Sequence, residues 1–173
     1  MRGPDPRLHK ILRRLILRSF PRLHHHPIDI SWGLNDGLLD YQTGDGTALI
    51  RVNTCLKGAP DRVLEGGLVH ELEHADADRR LGRLRREADW RHYEACRWAR
   101  IREERAVEAD AIRMGYGPQL LAFVRYARRL GYSFSREDGL TEPEIRRAMA
   151  TPWTSRATGA RLFSERLMKN WMS

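Results

Sequence analysis

Gly66-Gly67-Leu68-Val69-His70-Glu71-Leu72-Glu73-His74 contains the arrangement H-E-x-x-H. In a helix, side chains four residues apart lie one above the other on the same face, so His70 and His74 can converge on a single metal ion. Glu71 stands one step round the helix, next to where a metal-bound water would sit, and can take a proton from it as that water attacks a carbonyl. The stretch therefore offers two ligands and a general base. Leu64, Leu68 and Leu72 recur every four residues, the spacing of an amphipathic helix with one buried face. The plain alternative is a surface helix whose His70, Glu71 and His74 are simply solvated. Glu73, Asp76 and Asp78 make this segment more acidic than such a site requires.

A catalytic zinc keeps three protein ligands and leaves one position for water, so a third side chain must come from elsewhere. The segment Arg102-Glu103-Glu104-Arg105-Ala106-Val107-Glu108-Ala109-Asp110-Ala111 supplies carboxylates on a later helix, with Glu104 and Glu108 on one face. With Glu104 as ligand, Glu108 one turn on can orient an imidazole N–H, a service metal-bound histidines commonly need. The reverse assignment, Glu108 as ligand, stays open. Taken without the histidines, either glutamate reads as a solvated helix position paired with a nearby Arg.

The pairing of His70-Glu71-Leu72-Glu73-His74 with a downstream Glu-Arg-Ala-Val-Glu-Ala-Asp-Ala helix resembles the gluzincin metallopeptidases. The short strand-rich lead-in resembles the small ImmA/IrrE-type members most, and the likeness covers roughly Ile28 to Met114. In those families the third ligand is a Glu with Ala three residues on and often Asn or Asp next. Aligning Ala109-Asp110 to that pair puts Ala106 at the ligand position, whereas aligning Glu104 retains a ligand and places Val107 and Glu108 there. The resemblance implies zinc-dependent hydrolysis of a peptide bond in a protein substrate, with Glu71 shuttling the proton and a further donor steadying the oxyanion. His92, Tyr93 and Tyr116 are candidates for that donor, each with a structural role as the alternative.

The rest of the chain is read around this site. Its 173 residues, 41% hydrophobic, suit one compact domain: a basic N-terminal helix in 1–26, a metal-site core in 27–114 and a helical extension in 115–173. No apolar run approaches the ~20 residues of a membrane span and no signal-peptide pattern opens the chain, so a cytoplasmic protein without membrane contact is expected. Cys55 and Cys96 form no CxxC and are expected to be reduced, partly buried thiols. The formal net charge is +8, and Lys10, Lys57 and Lys169 are the lysines among the 31 basic side chains. Such an Arg-rich surface favours nucleic acid or an acidic protein partner, which frames the competing function: a catalytically weak or inactive scaffold that binds such a partner. A genome rich in Arg codons explains the same composition.

The local pattern predicts a helix from Arg7 to Phe20 stopped by Pro21, and His24-His25-His26 exposed, because successive side chains of an extended segment point to opposite sides. Strands are expected at Ile28 to Trp32, Leu38 to Tyr41 and Thr47 to Val52, joined by Asn35-Asp36-Gly37 and Gly44-Asp45-Gly46 as a three-stranded antiparallel meander. A free edge on the third strand would hold an extended peptide beside the metal. Asp61 is expected as the N-cap of the metal-site helix, which ends around Gly82. One long helix should follow from Arg83 to Met114, with Trp90, Tyr93 and Trp98 packing it against its neighbours. Gly115-Tyr116-Gly117-Pro118 breaks it, and helices follow from Gln119 to Leu130, from a start at Thr141-Glu142-Pro143-Glu144, and from Ala160 to Trp171. The expected class is α+β and predominantly helical: a small antiparallel sheet on a two-helix metal-site core, with extra C-terminal helices.

Overall fold

A computed structural model describes residues 5–43, 47–80 and 83–151, so Gly44-Asp45-Gly46 and the expected helix from Ala160 to Trp171 lie outside the described residues. The class is as expected, predominantly helical with one small sheet. Helix α1 spans Pro6–Ser19. Asp5 caps it, its carboxylate accepting from Arg7 N at 2.8 Å, and Pro6 occupies the first turn, where a missing N–H costs nothing. Leu8, Ile11, Leu12 and Leu15 form its buried stripe. The second carboxylate oxygen of Asp5 accepts from Trp32 Nε1 at 2.6 Å, tying the helix start to the sheet.

The strands β1 (Ile28–Gly33), β2 (Leu39–Thr43) and β3 (Ala48–Asn53) pair in the order β1-β3-β2. β2 runs antiparallel to β3, but β1 is parallel to β3, with Ile30 opposite Ile50, so the sheet is mixed and is not the expected meander. The cause lies in the connection from β1 to β2. Buried Asn53 donates from Nδ2 to Asn35 O (2.8 Å) and Gly37 O (3.1 Å), and its own N–H reaches Leu38 O, so this loop is pinned across the end of β3. β2 is thereby delivered to the far side of β3. As the central strand, β3 has both edges taken, and among the described residues the outer edges of β1 and β2 are unpaired.

Helix α2 (Asp61–Arg80) runs through the core, with Leu64, Leu68 and Leu72 fully buried. Asp61 is its first residue, not a cap. The Pro60 carbonyl accepts from Val63 and Leu64, and the Asp61 carboxylate instead pairs with Arg7 at 2.7 Å. Two glycines set how closely neighbours approach. A Cβ on Gly66 would stand 2.3 Å from Gln119 O, and one on Gly67 would stand 2.6 Å from Leu39 Cδ1. Gly66→Ala must therefore push away a backbone carbonyl that has no rotamer to change. We expect a net loss of about 1–3 kcal/mol despite alanine's better helix propensity, read as a lower denaturant midpoint at unchanged slope. A midpoint equal to the parent's would contradict this packing.

In place of one long helix there are α3 (Arg83–Ala95) and α4 (Arg97–Ala111), bent at Cys96, whose backbone is extended (φ −123°, ψ 105°). No Pro or Gly marks the bend. A wide π-type turn, Ile112–Tyr116, follows; Gly115 at φ 92° ends it as expected, and α5 (Gly117–Arg129) begins. α6 (Glu142–Ala150) starts with the capping box at Thr141 and Glu144. Trp90 packs against the core, but Trp98 is 74% exposed and contributes no packing. His24 and His25 are exposed as expected, whereas His26 is half-buried, and Cys55 is exposed where partial burial was expected. No helix among the described residues is long and apolar enough to cross a membrane.

Candidate metal centre

α2 and α4 pack side by side, and the residues singled out in the sequence meet between them. His70 Nε2 and His74 Nε2 are 3.3 Å apart. Glu104 reaches both from α4, with Oε2 at 3.0 Å from His70 Nε2 and Oε1 at 3.6 Å from His74 Nε2. One ligand atom from each of the three residues lies within 4.8 Å of the others. Ligands held at about 2.0–2.1 Å from a tetrahedral zinc are separated by roughly 3.3–3.4 Å, so the spacing and the donor set of two imidazoles and one carboxylate both fit such an ion. Two imidazole N–H groups cannot point at each other across 3.3 Å. In the metal-free chain the carboxylate of Glu104 is the acceptor that both Nε2 atoms face.

Around this triangle stand groups that touch the outer side of each imidazole. Glu108 Oε1 is 3.8 Å from His70 Nδ1, and its other oxygen accepts the Leu140 N–H. Glu108 thus lies behind His70, in the place expected of an orienting carboxylate and away from the shared point. Glu103 Oε1 is 3.5 Å from His74 Nδ1 and plays the matching part there. Sequence reasoning missed Glu103, although it is the residue next to Glu104. Glu71 is buried beside the histidines, and Asp40 on edge strand β2 is near enough to act on it through its charge.

Among the three donor candidates, His92 is exposed on α3 and Tyr116 shares a hydrogen bond with Ser19 Oγ at 2.7 Å. The Tyr93 hydroxyl is at the site, but it donates to Glu104 Oε1. Of the three, Tyr93 alone is seen in contact with the metal-site residues. The loop that holds Glu108 is itself fixed: Arg105 donates to Gly139 O at 2.8 Å and pairs with buried Glu144 at 3.0 Å.

The electrostatics follow from burial and from Glu104. Burial alone would push His74 down, but hydrogen bonds to Glu103 and Glu104 outweigh it and hold the ring at about 10. His70 is raised in the same way, by the hydrogen bond and charge of Glu104 against burial. Glu104 moves oppositely: burial would raise it, yet its hydrogen bonds to the two histidines hold it well below the ordinary carboxylate range. Glu71 is raised by burial, although both imidazoles pull it down. Burial also lifts Glu108 and Glu73 to about 7 each.

These shifts give a measurable consequence. A ligating imidazole must present a lone pair, so metal binding at neutral pH must expel protons held by the pair. We expect on the order of one proton released per zinc bound, seen as a binding heat that scales with the ionisation enthalpy of the buffer. The sign for the metal-free chain is set by linkage. A histidine raised on folding contributes stability that is complete below its ordinary 6.5 and is lost as pH climbs towards about 10. Zinc binding that is insensitive to buffer identity would contradict this picture.

No family model, curated protein or solved structure matches the chain.

Proposed function

We propose that the protein is a zinc-dependent metallopeptidase that hydrolyses peptide bonds in a protein substrate. The observation that carries this reading is the convergence of His70, His74 and Glu104 from two helices on one metal-sized point, with Glu71 buried alongside. Those three residues would hold the ion. When bound, zinc supplies a Lewis acid that acidifies a water and polarises a carbonyl. The chain's own contribution is to place Glu71 as the base for that water. Burial raises Glu71, making it a stronger base than an ordinary carboxylate near neutral pH. Glu103 and Glu108 stand next to the outer nitrogens of the imidazoles, at 3.5 and 3.8 Å.

Strand β2 supports the same reading. Its outer edge is unpaired among the described residues, its Leu39 side chain lies against Gly67 of α2, and Asp40 next to it acts on Glu71. An extended peptide added to that edge would run past the base.

A second reading draws on α1, which carries no acidic residue and exposes Lys10, Arg13, Arg14 and Arg18. Such a stripe suits a nucleic-acid backbone or an acidic protein. One experiment separates the two: the zinc-loaded full chain is incubated with a diverse library of unfolded peptides and the products are read by mass spectrometry. We expect defined cleavage sites that vanish with a chelator and return with zinc. Full zinc occupancy with no cleavage would overturn the peptidase reading and leave the polyanion-binding one.

A further inference from the structure

A metal-ligating carboxylate has two oxygens, and what holds the second decides how many sites the metal keeps for water. Glu104 Oε1 accepts the Tyr93 hydroxyl at 2.5 Å and stands 3.6 Å from His74 Nε2, while Oε2 lies closer to the histidines, 3.0 Å from His70 Nε2. Tyr93 lies on α3 and Glu104 on α4, 11 residues apart. On one straight helix that separation would put them about 16 Å apart along the axis. The bend at Cys96 brings them together, so the departure from a continuous helix is what builds this contact. Trp90 packs edge-on against the Tyr93 ring, centroid to centroid 5.2 Å, and fixes its direction.

The geometry points to Tyr93 as a positioning residue that holds Glu104 Oε1 so that Oε2 alone can ligate, leaving the fourth position of the metal for water. The inference rests on the metal site proposed above. It assigns Tyr93 a role distinct from steadying an oxyanion, because its one hydroxyl proton is already committed to Glu104. Losing that donor frees Oε1 to close on the metal as a second carboxylate ligand or to swing the side chain away. Outer hydrogen bonds of this kind typically contribute 10–100-fold to metal affinity.

The test uses the full chain loaded with cobalt(II), whose visible bands are intense in a four-coordinate site and weak in a five- or six-coordinate one. Tyr93→Phe keeps the ring against Trp90 and removes only the hydroxyl. We expect intense bands in the parent, a loss of about half or more of that intensity in Tyr93→Phe, and zinc binding about 10–100-fold weaker. Unchanged bands and zinc affinity within about twofold in Tyr93→Phe would overturn the inference while leaving the metal site standing. A purely structural Tyr93 would give that same pattern together with a lower melting temperature of the metal-free chain. A parent chain that binds neither cobalt nor zinc would overturn both the inference and the site.

Discussion

Glu71→Gln is expected to keep zinc bound and to reduce peptide hydrolysis by about 10²–10⁴-fold, the usual contribution of a positioned general base. The substitution preserves shape in a buried site, and Glu71 is not among the three residues whose ligand atoms converge. Metal content should therefore match the parent's. The pH dependence follows from the direction of the Glu71 shift. Burial raises its carboxyl, so the ionised base is lost at a higher pH than for an exposed glutamate, and the acid limb of the parent's activity sits correspondingly high. In Glu71→Gln that limb should be absent from whatever activity persists. A rate within about tenfold of the parent's would remove Glu71 from the mechanism.

The second large effect separates the two glutamates of α4. Glu104→Ala removes the only carboxylate among the described residues that meets both Nε2 atoms, and zinc affinity should fall by more than about 100-fold, beyond what a lost outer partner costs. Glu108→Gln leaves the three ligand atoms in place and changes the group behind His70 that also accepts the Leu140 N–H, so the expected loss is within about 10–100-fold with unchanged stoichiometry. Competition against a chromophoric chelator measures both. The opposite ranking, with Glu108→Gln the more damaging, would make Glu108 the ligand and would contradict the geometry between α2 and α4.

Much of this centre is legible in the sequence because its parts lie at helical spacing on two segments. His70, Glu71 and His74 follow from four-residue periodicity, and the buried Leu64, Leu68 and Leu72 give the helix its orientation. Glu104 could be singled out only by asking which acidic residue a two-histidine site lacks. The capping box at Thr141 and the breaker at Gly115 were equally readable, since turn and cap chemistry is local. What stayed hidden depends on contacts distant in sequence. Alternating apolar residues show which face of a strand is buried, not which strand is its neighbour. The parallel pairing of β1 with β3 instead follows from Asn53 reaching back to Asn35 and Gly37. The bend at Cys96 has no Pro or Gly to announce it, and with it went the approach of Tyr93 to Glu104. Glu103 was overlooked because, beside a stronger ligand candidate, it reads as an ordinary charged helix position; only the His74 Nδ1 contact distinguishes it. Trp98 shows the converse error, an aromatic that composition assigns to packing and that the fold leaves in solvent.

The most direct test is zinc K-edge X-ray absorption on the zinc-loaded full chain, which counts and identifies the atoms bound to the ion. Two imidazole nitrogens and carboxylate or water oxygen are expected at about 2.0–2.1 Å, with no sulfur, and the imidazole signature should be lost in His70→Ala. A coordination sphere of water oxygens alone, or one containing sulfur at about 2.3 Å, would contradict the proposed centre.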